Sequence, residues 1–423
     1  MTAEIICVGT ELLLGNILNK NAQYLGQQLA SLGIPHYYQT VVGDNVARLQ
    51  QVVKIASDRS NILIFTGGLG PTPDDLTTET LAAFFDAPLV ENSDILEDIA
   101  QKYAVRGRVM SPSNRKQALI PQGAKVLPNS SGTAPGIIWS PISNLHILTF
   151  PGVPSEMQQM WQETAVPYLK SIGFGQEIIY SRTLKFWGIA ESALAEKVSA
   201  FLHLPNPTVA PYASRGEVKL RVSAKAGSQA AAEQLIAPIE QQLRAIAKLD
   251  YYGQDEESLA AVVGQLLQRE NATLSVAESC TGGGLGQMLT EVPGSSRYLI
   301  GGVISYDNQV KVSLLGVNPQ DLEQEGAVSK TVAAQMAQGV RSRLGTTWGL
   351  SITGIAGPDG GTPTKPVGLV YIGLAQADRE VQVFEQRYGQ GRDRSLIRHL
   401  SACTALDLLR RKLLEDKSQD QVN

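Results

Sequence analysis

The chain is poor in the residues that most often announce a site. Its three cysteines, Cys7, Cys280 and Cys403, are scattered over 423 residues. Far apart and odd in number, they make neither a disulfide framework nor a CxxC metal pair, so a reducing, cytoplasmic setting is expected. The four histidines have no HExxH-like spacing, which argues against a His-based zinc site. Positive charge is not in excess: 36 Lys and Arg stand against 40 Asp and Glu, a net charge of −4. Broad phosphate neutralisation is therefore not expected, and neither is direct nucleic-acid binding. No run approaches the roughly 20 apolar residues of a membrane span, so no membrane association is expected. The opening Met1-Thr2-Ala3-Glu4 has no basic segment and its apolar run stops at Val8, unlike a secretory leader.

What remains is an ordinary globular composition, 43% hydrophobic and 18% charged, on a chain long enough for two or three domains. Short apolar runs alternate with helical spacing through the first 170 residues. The runs 3–8 and 61–65 end in Gly9-Thr10-Glu11 and Thr66-Gly67-Gly68. This alternation predicts a parallel sheet with helices on both faces and sites at the carboxyl ends of the strands. Thr66, Gly67 and Gly68 are candidate phosphate contacts. The adjacent carboxylates Asp74 and Asp75 follow, suited either to a hard divalent cation bridging a phosphate or to capping the next helix. The segment Asn114-Arg115-Lys116-Gln117 is a candidate source of cationic contacts. Residues 173–252 read as a small α/β connector without catalytic groups.

From 256 onward a new α/β domain is expected, reaching about 418. It opens on a strand running into Glu278-Ser279-Cys280-Thr281-Gly282-Gly283-Gly284. Glycines opening a helix present backbone N–H groups to an anion, so Thr281, Gly282 and Gly283 are expected to cradle substrate. None of the strand-end loops holds a histidine, which excludes a Ser-His-Asp triad drawn from them. A hydroxyl with a lysine remains, since a desolvated lysine can act as a base. Lys311 is the sole lysine between Lys248 and Lys330. Ser296 sits at the turn before the strand leading to it. Ser296 is expected as nucleophile, with Lys311 and Tyr306 managing the proton and Ser279 and Thr353 as donors. Cys280 competes, lying beside a helix N-terminus that lowers a thiol pKa. Arg392, Arg394 and Arg398 are candidate phosphate ligands.

The runs Ala277-Glu278-Ser279-Cys280-Thr281-Gly282-Gly283 and Ser351-Ile352-Thr353-Gly354-Ile355-Ala356-Gly357-Pro358 resemble the C-terminal domain of the competence/damage-inducible protein A (CinA) family. That domain is similar to bacterial nicotinamide-mononucleotide deamidases. Gly9-Thr10-Glu11-Leu12-Leu13-Leu14-Gly15, the run from Thr66-Gly67-Gly68 to Asp74-Asp75-Leu76-Thr77, and Phe150-Pro151-Gly152-Val153-Pro154-Ser155-Glu156-Met157 look like the family's first domain, which resembles molybdopterin-binding folds. The resemblance implies three parts: a three-layer molybdopterin-binding-like domain over 1–170, a KH-like connector over 173–252, and a deamidase domain over 256–418. It implies hydrolysis of the carboxamide of nicotinamide mononucleotide by a serine and lysine, Ser296 and Lys311. Ser279, Tyr306, Thr353, Gly354 and Arg394 match other functional positions, with Arg392 competing for the place of Arg394. The first domain is implied to cleave ADP-ribose with Mg, Mn or Co at Asp74 and Asp75, and the last to need no cofactor. The connector lacks a KH-type GxxG. Small-molecule nucleotide substrates and a homodimer are expected. The alternatives are a non-enzymatic role in DNA uptake or recombination, or a first domain that only binds a pterin.

Overall fold

A computed structural model describes residues 1–175 and 177–420. The chain forms two compact units, Met1–Tyr180 with Ala224–Leu235, and Ser181–Ser223 with Ile236–Asn423.

In the first unit the strands are β1 (Ala3–Val8), β2 (His36–Val42), β3 (Ile62–Thr66), β4 (Leu89–Glu91), β5 (Leu119–Pro121), β6 (Lys125–Leu127), β7 (Gly136–Trp139) and β8 (His146–Phe150). Six of them make one sheet in the order β2-β1-β3-β8-β7-β6, while β4 and β5 form a separate pair. The first four in that order run parallel, in registers such as Ile5↔Ile64 and Ile64↔Leu148. β7 and β6 are antiparallel additions. Every residue of β1 and β3 is buried, as a sheet covered on both faces requires. Alternation divides them: Ile5, Cys7 and Ile64 pack on Trp161 and Met157, whereas Ile6, Val8 and Phe65 pack under Leu49 and Leu81. The helix Lys20–Ser31 begins at Asn19, whose side chain accepts from Ala22 N. From β1 the chain moves to β2 on one side, and β3 lies on the other. That reversal makes the carboxyl end of β1 a switch point, where open sheets place ligands.

The connector holds β9 (Ile178–Phe186), β10 (Thr208–Ser214), β11 (Glu217–Ala226) and β12 (Tyr251–Gln254), in the order β10-β11-β9-β12. Residues Glu191–Lys197 form a short helix, followed by a single turn Ser199–Phe201. Trp187 and Tyr252 belong to the same hydrophobic core as the last domain. The buried Arg410 guanidinium donates to Asp407 and to the carbonyls of Tyr251 and Leu249. A paired, fully hydrogen-bonded charge of this kind is a costly one to break. The connector residues of the second unit are thus one packed body with the last domain.

That domain is built on β13 (Leu274–Glu278), β14 (Leu299–Ile304), β15 (Trp348–Gly354), β16 (Leu369–Gln376) and β17 (Gln382–Arg387), in the order β14-β13-β15-β16-β17. β14, β13 and β15 are parallel; β16 and β17 form an antiparallel edge. The helices Lys330–Leu344 and Arg394–Asp420 pack against this sheet. Among the described residues no helix is long and apolar enough to cross a membrane.

Candidate functional site

The carboxyl ends of β13, β14 and β15 hold most of the candidate residues. β14 aligns with β13 so that Glu278 faces Ile304, and Ser305 N donates to Glu278 O at 2.7 Å. The chain then turns at Asp307, which caps the helix Asn308–Leu315 by accepting from Gln309 N. This short return folds Lys311 back under the strand end. Its side chain is 1% exposed. Nζ donates to Ser305 O at 2.7 Å and Tyr306 O at 3.2 Å. Burial lowers its pKa from the usual lysine value of 10.5, with Asp307 and Cys280 opposing more weakly. A neutral amine has two N–H donors and one lone pair. In that free-amine form the two carbonyls would occupy the donors and leave the lone pair to take a proton.

Ser279 follows Glu278 directly, and its N donates to Ile352 O at 2.9 Å. It is almost buried, and its hydroxyl has no hydrogen-bond partner among the described residues. Its neighbour Cys280 acts electrostatically on Lys311, placing both at one strand end. Ser296 is elsewhere. It lies exposed in the turn Ser295–Arg297 that precedes β14. A six-residue strand separates that turn from Lys311, roughly 20 Å of extended chain. Ser296 thus lies at the start of β14 and Lys311 beyond its end, while Ser279 follows the carboxyl end of the neighbouring β13. Sequence proximity suggested Ser296; parallel strands bring carboxyl ends together and leave the start of a strand at the far edge.

Cys280 is buried, and its thiol is pushed up to about 12 by desolvation, against the smaller pull of Arg394 and Arg398. It is a neutral packing residue rather than a thiolate. The glycine turn also departs from expectation. Glu278, 2% exposed, accepts from Gly283 N at 3.0 Å, Leu285 N at 3.0 Å and Gly286 N at 2.8 Å. Gly282 N and Gly284 N donate to Ser279 O and Thr281 O. The nest expected to take a phosphate at Gly282 and Gly283 is filled by the chain's own carboxylate. Thr281 is fully buried and its Oγ1 has no hydrogen-bond partner among the described residues. Thr353 donates to Ala327 O at 2.8 Å, and Gly354 is held in the β15–β16 ladder, so both serve the fold first.

The arginines separate clearly. Arg394 donates to Gly357 O at 2.8 Å and to the Tyr306 hydroxyl at 3.3 Å. Arg398 donates to Thr281 O at 2.6 Å. Arg392 lies apart, in an open cleft with Asp359 and Thr362. Tyr306 is 62% exposed, so Tyr306 and Arg394 form the solvent-facing rim above Lys311.

In the first unit Thr66 is internal: its hydroxyl donates to Pro151 O at 3.0 Å and accepts from Asn21 Nδ2 at 2.8 Å. Gly67 has φ 102°, and a Cβ there would stand 2.1 Å from Val8 O; Gly68 has φ 66°, and a Cβ there would stand 2.4 Å from Thr77 Oγ1. These glycines allow close backbone packing as much as ligand approach. Thr72 donates its hydroxyl to Asp74 and Asp75, and its N–H to Asp75 Oδ2 at 2.9 Å. The Thr72 hydrogen bond holds the Asp74 carboxyl below its usual range. Among the described residues no group of three or more His, Cys, Asp or Glu side chains is placed to hold a metal. Two carboxylates do not make an all-protein cage, but they fit a Mg-type ion completed by water and substrate phosphate. Arg115 pairs with Glu91, and Lys116 with Glu79 at 3.5 Å, so the cations expected to meet phosphate are surface ion pairs.

Fold and sites define a multidomain α/β protein with ligand-sized strand ends in two separate sheets. Residues 4–171 match the probable molybdopterin binding domain, 181–253 the damage-inducible protein CinA KH domain, and 256–413 the CinA C-terminal domain. The chain is 73% identical to a CinA-like protein of Trichormus variabilis, covering 98% of this chain and all of that one. It is also 73% identical to a CinA-like protein of Nostoc punctiforme over the same shares. A competence/damage inducible protein of Agrobacterium tumefaciens, of known structure, is 40% identical over 36% of this chain and 91% of its own, with a TM-score of 0.35. The chain belongs to the CinA family.

Proposed function

We propose that the last domain is an amidase that hydrolyses the carboxamide of nicotinamide mononucleotide to the nicotinate nucleotide and ammonia. The observation that carries the reading is Lys311: buried, pKa lowered, both N–H donors held by carbonyls, and sharing a strand end with the unpartnered Ser279 hydroxyl. Ser279 Oγ attacks the carboxamide carbon and its proton passes to Lys311 Nζ. Lys311 returns that proton to the leaving nitrogen, which departs as ammonia. Water then hydrolyses the acyl-serine, again with Lys311 as base. Arg394 and Tyr306 on the rim suit the phosphate of the nucleotide. Ammonia release from the mononucleotide by purified full-length protein tests the reading; none at high enzyme concentration refutes it.

In the first domain the same proposal assigns cleavage of ADP-ribose, with Asp74 and Asp75 holding a divalent cation. The ion's role is to neutralise charge on the pyrophosphate. Divalent-ion-dependent release of AMP from ADP-ribose tests it.

A further inference from the structure

We propose that the cavity between the β10–β11 hairpin and the helix Arg394–Asp420 binds a small aromatic carboxylate, with Arg215 as the anion-recognition group. The cavity encloses about 350 Å³, at the small end of the range for sites that take a single ligand. It lies wholly within the second unit, where Trp187 and Tyr252 of the connector share a core with the last domain. Trp187, Leu259, Met288 and Leu406 supply its apolar part.

The hairpin carries Arg215 to this cavity. β10 and β11 pair Ser214 with Glu217, so Arg215 and Gly216 are the two-residue tip. Both have positive φ, 53° and 87°, in a turn that ordinarily takes Asn-Gly. The tip is pressed on the last helix: a Cβ at Gly216 would stand 2.3 Å from Leu400 Cδ2. The left-handed backbone suits Asn or Gly better than Arg, so the turn itself gives no reason for an arginine. Its exposed guanidinium lines the cavity and makes no hydrogen bond or ion pair among the described residues. It is near enough to His399 to add to burial in lowering that ring's pKa.

The other charged groups are already engaged. Glu217 pairs with Lys219 at 2.7 Å and accepts from the Tyr252 hydroxyl. Glu257 Oε2 accepts from Gln254 N at 2.8 Å, and Lys185 Nζ donates to Glu257 O at 2.9 Å. Glu291 accepts from Gln287 Nε2 at 3.1 Å. These acids oppose a dianion such as phosphate and leave one guanidinium fork for a monoanion. A carboxylate fits that fork bidentately, and a flat ring behind it meets Trp187 and Met288. An uncharged ring leaves Arg215 unused, and a bare carboxylate leaves the apolar part unused. The inference goes beyond the amidase reading and does not depend on it.

Calorimetric titration of the full-length protein with benzoate, benzamide and acetate provides the test. Benzoate is expected to bind roughly tenfold or more tightly than either of the others. Arg215→Asn suits the turn and is expected to weaken benzoate binding roughly tenfold. Equal melting temperatures of the parent and this variant check that the loss reports the guanidinium and not the fold. Glu291→Gln removes a carboxylate from the rim and is expected to strengthen binding about twofold. The opposite signs distinguish this cavity from the strand end that holds Ser279 and Lys311. No benzoate binding at roughly 10 mM probe, unchanged affinity in Arg215→Asn, or equal affinity for benzoate and benzamide overturns the proposal.

Discussion

The turns after β3 and after β13 look alike in sequence: a buried strand, a small hydroxyl residue, then glycines. In the fold they do different work. After β3, Gly67 and Gly68 let the backbone pass close to Val8 and Thr77, and the carboxylates Asp74 and Asp75 lie outside, tied to Thr72. After β13, the carboxylate is inside: Glu278 takes three N–H groups of the turn. The first turn leaves its negative charge available to a cation. The second neutralises its own dipole, and the Ser279 hydroxyl and the buried Lys311 lie at the ends of neighbouring strands. Similar glycine spacing thus serves opposite electrostatic ends, and the side of the turn on which the carboxylate falls decides which.

The sharpest test of that contrast removes the amine. Lys311→Met should lower kcat for ammonia release by a factor of roughly 10²–10⁴ while leaving ADP-ribose cleavage unchanged. If both activities fall together, the two strand ends are not independent. A serine pair comes next. Ser279→Ala should cut turnover by about 10³-fold, whereas Ser296→Ala should stay within a few-fold of the parent; the reverse pattern would restore Ser296 and place it beside Lys311 from outside its own chain.

The pH profile tests the same lysine more gently. Its free-amine form is the active one, and burial lowers its pKa from 10.5. The rate of kcat/KM should therefore rise with pH and level off below the ordinary lysine range, and Lys311→Arg should lose both activity and that limb. For the first domain, Asp74→Asn should reduce metal-dependent ADP-ribose cleavage about 10- to 100-fold without altering ammonia release. The smallest effect expected is that of Cys280→Ala, which should keep turnover within about threefold, since a buried neutral thiol contributes packing alone; a loss as large as that of Ser279→Ala would return the nucleophile to sulfur.

Much of this was legible in the chain. Short apolar runs and helical spacing placed β1, β3 and β13, because both patterns report burial locally. The motifs around Ser279 and Thr353 fall at the carboxyl ends of the neighbouring parallel strands β13 and β15. The structure sets Ser296 and Lys311 at opposite ends of β14, and Glu278 takes the N–H of Gly283 that was expected to meet substrate. Nor did sequence spacing announce Asn21, whose amide donates to Gly152 O, 131 residues away.

The sequence by itself determined the alternation of strands and helices and the weakly acidic, thiol-poor character of the chain. Those properties follow from local periodicity and composition. Only the tertiary structure decided which carbonyls hold the buried lysine, that Glu278 fills its own anion nest, and that Asn21 Oδ1 is left without a donor among the described residues. The physical reason is the same in each case. Hydrogen bonding and desolvation act over a few ångströms of space, and the partners that set them lie on strands far apart in the chain.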